Sequence, residues 1–176
     1  MKRLKVSLAI VVALTAGLGG QQKKDDDPVI TIDGAKNPEL IPQWAAWQHA
    51  FLVMNGPELH GEPPIPTTVW KTTTAAHRDL IRREAKWVFG VESKLGEEVI
   101  KLRDGLTAEN LKSRAEEVQS YELTRRKAVL EARDRVLAAL PSDAQIALRE
   151  FVEVNCKVGY KVSVLKSQLE QYRLPE

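Results

Sequence analysis

Nine positions recur at alternating three- and four-residue steps along one stretch: Leu111, Ala115, Val118, Glu122, Arg125, Val129, Ala132, Val136 and Ala139. That spacing winds a helix whose apolar residues form one seam, as in a coiled coil. It predicts a helix over 108–140, which at 1.5 Å per residue extends ~50 Å. A single small domain does not need a helix that long. The helix must therefore lean on another long helix, on a dimer partner or on a hinge. Glu122 and Arg125 stand in the seam itself, where a polar layer weakens packing and can fix register. Pro141 ends the run, because a proline inside a helix removes a hydrogen bond and clashes with the preceding turn.

The rest of the chain reads the same way. Asn37-Pro38 marks a first helix, with Asn37 as cap and Pro38 at the first helical position. Pro42 can serve only as a second start. Leu40, Trp44, Trp47, Phe51 and Met54 follow at helical spacing until Gly56-Pro57. Residues 56–66, with four prolines and two glycines, read as a loop. A second helix runs from Thr74 to Val91 with Leu80, Trp87, Val88 and Val91 inward and Ile81 alongside. Whether it stops at Gly90 or runs on stays open. A further stretch covers Lys94 to Asp104. A last helix starts at Ser142, with Ala144, Leu148, Phe151, Val152 and Asn155 on one face.

Two segments break the helical pattern. Val29 to Ile32 is short, apolar and followed by the turn pair Asp33-Gly34. In 158–164, Val158, Tyr160, Val162 and Val164 alternate with Gly159, Lys161 and Ser163, the period of a strand. Pairing 158–164 with 29–32 would bring the two ends of the mature chain together. The fold class expected is mainly α, a helical hairpin or bundle, with these two short extended segments.

Residues 1–20 carry the three parts of a secretory signal: Lys2, Arg3 and Lys5, an apolar run from Val6 to Leu14, and small residues from Thr15 to Gly20. The apolar run is short for a membrane span, which takes roughly 20 residues. The expected organisation is a signal at 1–20, a polar linker with a short extended segment at 21–36, and a helical domain at 37–176. The expected localisation is periplasmic or secreted, without a stable membrane anchor, since no cysteine follows the cleavage region to accept lipid.

The formal charge of +2, less the three positive charges of the signal, leaves −1. A near-neutral domain lacks the clustered Lys and Arg that neutralise phosphates, so no nucleic-acid partner is expected. With 43% hydrophobic and 28% charged residues, the composition is that of a folded protein and not of a disordered one. Cys156 is the one cysteine, so no internal disulfide can form. It reads as a small core residue, with an intermolecular disulfide or a reactive thiol as the alternatives.

Chemistry is sparsely marked. There is no GxSxG elbow, no GxGxxG and no GxxxxGK[ST], so serine-nucleophile and phosphate-cradling sites lack their signatures. The three histidines, His49, His60 and His77, form no HExxH pairing, and no cofactor is implied. Glu58, His60 and Glu62 alternate within the loop and make the one metal-binding candidate, against the plainer reading of a solvated loop. Trp44, Trp47 and Phe51 concentrate aromatic surface in the first helix. They form either the core or a groove that grips an apolar partner.

The stretch Ile32-Asp33-Gly34-Ala35-Lys36-Asn37-Pro38-Glu39-Leu40-Ile41-Pro42 resembles the opening of an uncharacterised family of exported bacterial helical proteins. That resemblance implies export and a helical fold and brings no activity. Leu106-Thr107-Ala108-Glu109-Asn110 and Ser142-Asp143-Ala144-Gln145 resemble the two LTxxQ boxes of Spy-type periplasmic chaperones. Asn110 stands where the first box has glutamine, and Pro141 separates Leu140 from Ser142 in the second. This resemblance implies a small, exported, dimeric helical protein that holds unfolded clients without ATP. Each box is equally a capping box, with Thr107 or Ser142 as N-cap. The functional expectation is a non-enzymatic exported helical protein that binds a protein partner or itself through the long helix. A metal-responsive module built on the 58–62 loop and an unrecognised hydrolase are the alternatives.

Overall fold

The computed structural model describes residues 29–56, 65–104, 110–159 and 161–165. The fold is mainly α. Strand β1 (Val29–Asp33) leads through a 3-10 turn (Pro38–Leu40) to α1 (Gln43–Met54). Then come α2 (Thr67–Lys71), α3 (Ala75–Asp104) and α4 (Leu111–Ala139). The last described elements are α5 (Ser142–Phe151), a π-helical turn (Val152–Cys156), α6 (Lys157–Gly159) and β2 (Lys161–Leu165). The signal region 1–20, the linker to residue 28 and the box at 106–109 lie outside the described residues.

The long helix foreseen over 108–140 is α4, and the partner it leans on is α3, of almost equal length. α3 passes through Gly90 and Gly96 without a break. Along it, Ile81, Ala85, Val88, Glu92, Leu95, Val99 and Leu102 recur at the same alternating four- and three-residue steps as the seam of α4. Two ion pairs between the helices set the register: Arg135–Glu84 at 2.7 Å and Arg125–Glu92 at 3.6 Å. Partners rise along one helix as they fall along the other, so the pair is an antiparallel hairpin. This register sets Ile81 opposite Val136, Ala85 opposite Ala132 and Val88 opposite Val129, all of them fully buried.

At Gly90 and Gly96 an added Cβ would meet no atom within 4 Å. Both stand inside a helix, where glycine gives up more backbone freedom than alanine on folding. Each Gly→Ala change is expected to raise the unfolding free energy by about 0.5–1 kcal/mol in urea titration. A loss of stability would mean that the chain needs a bend at that point.

α1 is the central helix. Trp44, Ala45, Ala46, Trp47, Gln48, Ala50, Phe51 and Met54 are all buried, which leaves little of its circumference in water. A helix apolar nearly all round belongs inside. It packs on α3, on α4 and on the π turn. It begins later than Asn37-Pro38 suggested. Asn37 makes no side-chain cap bond, and Ile41 is extended at φ −85°, ψ 116°. The residue before a proline is pushed out of the helical region, so Pro42 resets the chain and opens α1.

Four further expectations are corrected. Trp87 does not face inward but is 40% exposed, because the buried face of α3 is set by Ile81, Ala85 and Val88. Ala139 is exposed and ends the seam early. Ser142 does not cap α5: Pro141 holds the cap position, no side-chain cap bond forms, and Gln145 Nε2 donates instead to the Leu140 carbonyl at 2.9 Å. Asn155 is exposed while Cys156 is buried. The π turn explains that shift, because its i→i+5 bonds widen the helix. Leu148, Val152 and Cys156 thereby stay on one face at four-residue steps. The short α2 carries no strong signal in the sequence.

The two strands pair as expected. β1 and β2 are antiparallel, from Val29↔Leu165 to Asp33↔Lys161, with Ile32 opposite Val162. The second strand begins later than residue 158, since Val158 still belongs to α6.

Candidate functional site

The hairpin seam is interrupted once by charge. Gln48 of α1, only 2% exposed, donates from Nε2 to Glu92 Oε1 at 2.7 Å. The Glu92 side chain is 10% exposed, and burial raises its pKa above the ordinary value, with Arg125 and Gln48 pulling the other way. Arg125 lies with Nε 3.6 Å from Glu92 and donates from its terminal nitrogen to Glu122 at 2.5 Å. Its guanidinium lies 5.6 Å from the Trp44 ring, and that of Arg126 lies 4.7 Å from the same ring. Side chains of α1, α3 and α4 thus meet in one polar layer.

Such a layer adds little net stability, because desolvating the charges offsets their attraction. Its effect is register. Slipping the hairpin by a heptad would set the Glu92 carboxylate against Val118 or Ala132, with no cation opposite it. Buried polar residues in helical seams fix alignment in this way.

The layer also divides the hairpin in two. On its α1 side the seam joins the main core, whereas Leu102 and Val118, though buried, stand apart from that core. Leu95 and Val99 between them are half-buried. From Glu92 to Asp104 the hairpin runs on for ~18 Å. One stripe of α4 shows the transition. Leu137 is buried, Leu130 packs against the core and Arg126 sits over Trp44. One turn further, Leu123 is 57% exposed, and on α3 Ile100 is 53% exposed. The cover ends because α1 begins at Gln43, next to Trp44. The outer part of the hairpin is an arm of two helices with apolar side chains in water.

Trp44, Trp47 and Phe51 do not line a groove. All three are buried, with the Trp47 and Phe51 rings 5.8 Å apart. α1 packs on the hairpin and on the π turn, and the three side chains belong to the core. Glu58, His60 and Glu62 lie outside the described residues. His49 is half-buried, and burial lowers its pKa. His77 is occupied at the start of α3: Thr74 N–H donates to its Nδ1 at 3.4 Å, and His77 N–H donates to Thr74 Oγ1 at 3.3 Å. Among the described residues no group of three His, Cys, Asp or Glu side chains is placed to hold a metal ion. Cys156 is buried, and burial pushes its thiol up to about 12, so it stays protonated at neutral pH and is a poor nucleophile.

Glu122 and Arg125 were legible in the seam of α4, but Gln48 and Glu92 were not singled out. The signal for Glu92 was present: the seam of α3 carries a carboxylate where the spacing calls for an apolar residue. Among the described residues no helix is long and apolar enough to cross a membrane. No protein-family model, curated protein or solved structure matches the chain.

Proposed function

We propose that this chain is an exported, non-enzymatic helical protein of the cell envelope that binds a protein partner through the outer arm of its hairpin. The observation that carries the reading is the arm itself, which leaves Ile100 and Leu123 in water where α1 no longer covers the hairpin. Helical hairpins that expose apolar side chains bury them by adding another helix or by holding an extended apolar segment. Export rests on the three-part signal pattern at 1–20, and a chaperone-like role is the sharpest form of the reading.

The test is suppression of aggregation. Full-length protein, at molar excess over insulin reduced with dithiothreitol, is expected to slow the rise of light scattering. The Ile100→Ser/Leu123→Ser double variant is expected to lose most of that effect, with its helical circular dichroism kept. No effect of the wild-type protein at molar excess would remove the chaperone-like role. Equal activity of the double variant would remove the arm as the binding surface.

A further inference from the structure

α1 begins at Gln43, but the faces of α3 and α4 that receive it run on past it. On α3, Gly96 and Val99 stand four and seven residues beyond Glu92, which meets Gln48 of α1. On α4, Leu123 and Gln119 stand three and seven residues before Arg126, whose guanidinium lies over the Trp44 ring of α1. Steps of three, four and seven keep residues on one face of a helix. The arm surface that carries Leu123, with Ile100 one turn from Gly96, therefore continues the surface that α1 occupies. Gly96 leaves it open, because an added Cβ there would meet no atom within 4 Å.

Two physical constraints select what fits. α3 and α4 bond their own backbone groups within each helix, so the arm offers an incoming chain no row of main-chain partners. An extended segment pressed onto Ile100 and Leu123 would leave N–H and C=O groups out of water and unpaired, which is costly. A helix arrives with those bonds already made. Length agrees with this. The arm runs ~18 Å beyond Glu92, and α1, twelve residues long, spans the same ~18 Å. A glycine on the receiving face lets a second backbone come close.

We propose that the arm takes an amphipathic helix of a partner protein, about 12 residues long. It seats on the same face of the hairpin as α1, with its apolar stripe against Ile100 and Leu123 and its closest approach at Gly96. The proposal rests on the arm being the binding surface. It adds the form of what binds there, a helix laid in a groove and not an extended chain.

The test uses two fluorescent peptides of identical leucine and lysine composition. One sets its leucines at the helical period and the other alternates them at the strand period. Their equal charge cancels any general attraction. In anisotropy titration, full-length wild-type protein is expected to bind the helix-period peptide roughly tenfold more tightly. Gly96→Leu puts a side chain into open space, so the free protein keeps its helical circular dichroism. It is expected to weaken that binding roughly tenfold, although it adds apolar surface. Ile100→Ser/Leu123→Ser should lose the binding altogether. Equal affinity for the two peptides, or undiminished binding by Gly96→Leu, would overturn the helix and leave the arm as the binding surface. Binding that survives Ile100→Ser/Leu123→Ser would overturn both. If neither peptide binds, the proposal falls and the insulin assay judges the arm by itself. A wild-type dimer in sedimentation that the double variant dissociates would make a second copy the occupant, and would also overturn it. Should Gly96→Leu fail to fold, the comparison of the two peptides on the wild type decides.

Discussion

Replacing Phe51 by alanine is expected to lower the unfolding free energy by about 3–5 kcal/mol. The ring is fully buried on the central helix and packs at a tilt against Trp47. Its loss removes the apolar surface that the ring takes out of water and leaves a cavity in the core, which close-packed surroundings fill only in part. For a domain of this size the loss is a large share of the total stability. Phe51→Leu, which keeps most of the volume, should cost far less. Urea titration followed by circular dichroism reads both. A loss below 1 kcal/mol for Phe51→Ala would show that α1 is not at the centre of the fold, and would reopen its aromatic side chains as a binding surface.

Removing Arg125 from the polar layer is expected to be as damaging. Arg125→Ala leaves Glu92 and Glu122 without their shared guanidinium, and Glu92 is largely out of water. Breaking one side of a buried ion pair typically costs about 3–5 kcal/mol, most of it the penalty on the charge left behind. The remedy distinguishes that cause from lost packing. Arg125→Met keeps the length of the side chain, and Glu92→Gln removes the stranded charge, so the double variant should regain most of the stability. The double-mutant cycle should give a coupling well above the 0.3–0.5 kcal/mol within which distant sites add. Additive losses would mean that Glu92 and Arg125 do not act on one another.

The fold was legible where one period governs a long stretch. The seam from Val118 to Val136 forecast α4, its polar interruption and its need for a companion helix. The alternation of valines forecast the pairing of the two strands. What was hidden turns on local events that periodicity averages over. Pro42 forces Ile41 out of the helix and delays α1. The π turn inserts a phase shift that exchanges Asn155 for Cys156. Trp87 attracts an inward assignment by its size, yet it stands one residue off the seam, with the Arg135 guanidinium 4.5 Å from its ring. The candidate site was half legible for a similar reason. Glu122 and Arg125 break a clear pattern, whereas Gln48 sits on a helix so uniformly apolar that no face of it looks special. The arm was not legible at all, since nothing along the sequence says where α1 stops covering the hairpin.

The two-stranded ribbon joins residues far apart in the chain. Closing a loop of well over a hundred residues costs about 4 kcal/mol in chain entropy, and five paired residues cannot meet that alone. The ribbon therefore forms only after the helices have carried its halves together, so it registers a completed fold and does not initiate one. Val29 stands opposite Leu165, and paired strands lie about 5 Å apart. Residues 29 and 165, at opposite ends of the described part of the chain, therefore lie side by side, like two cords tied at one knot.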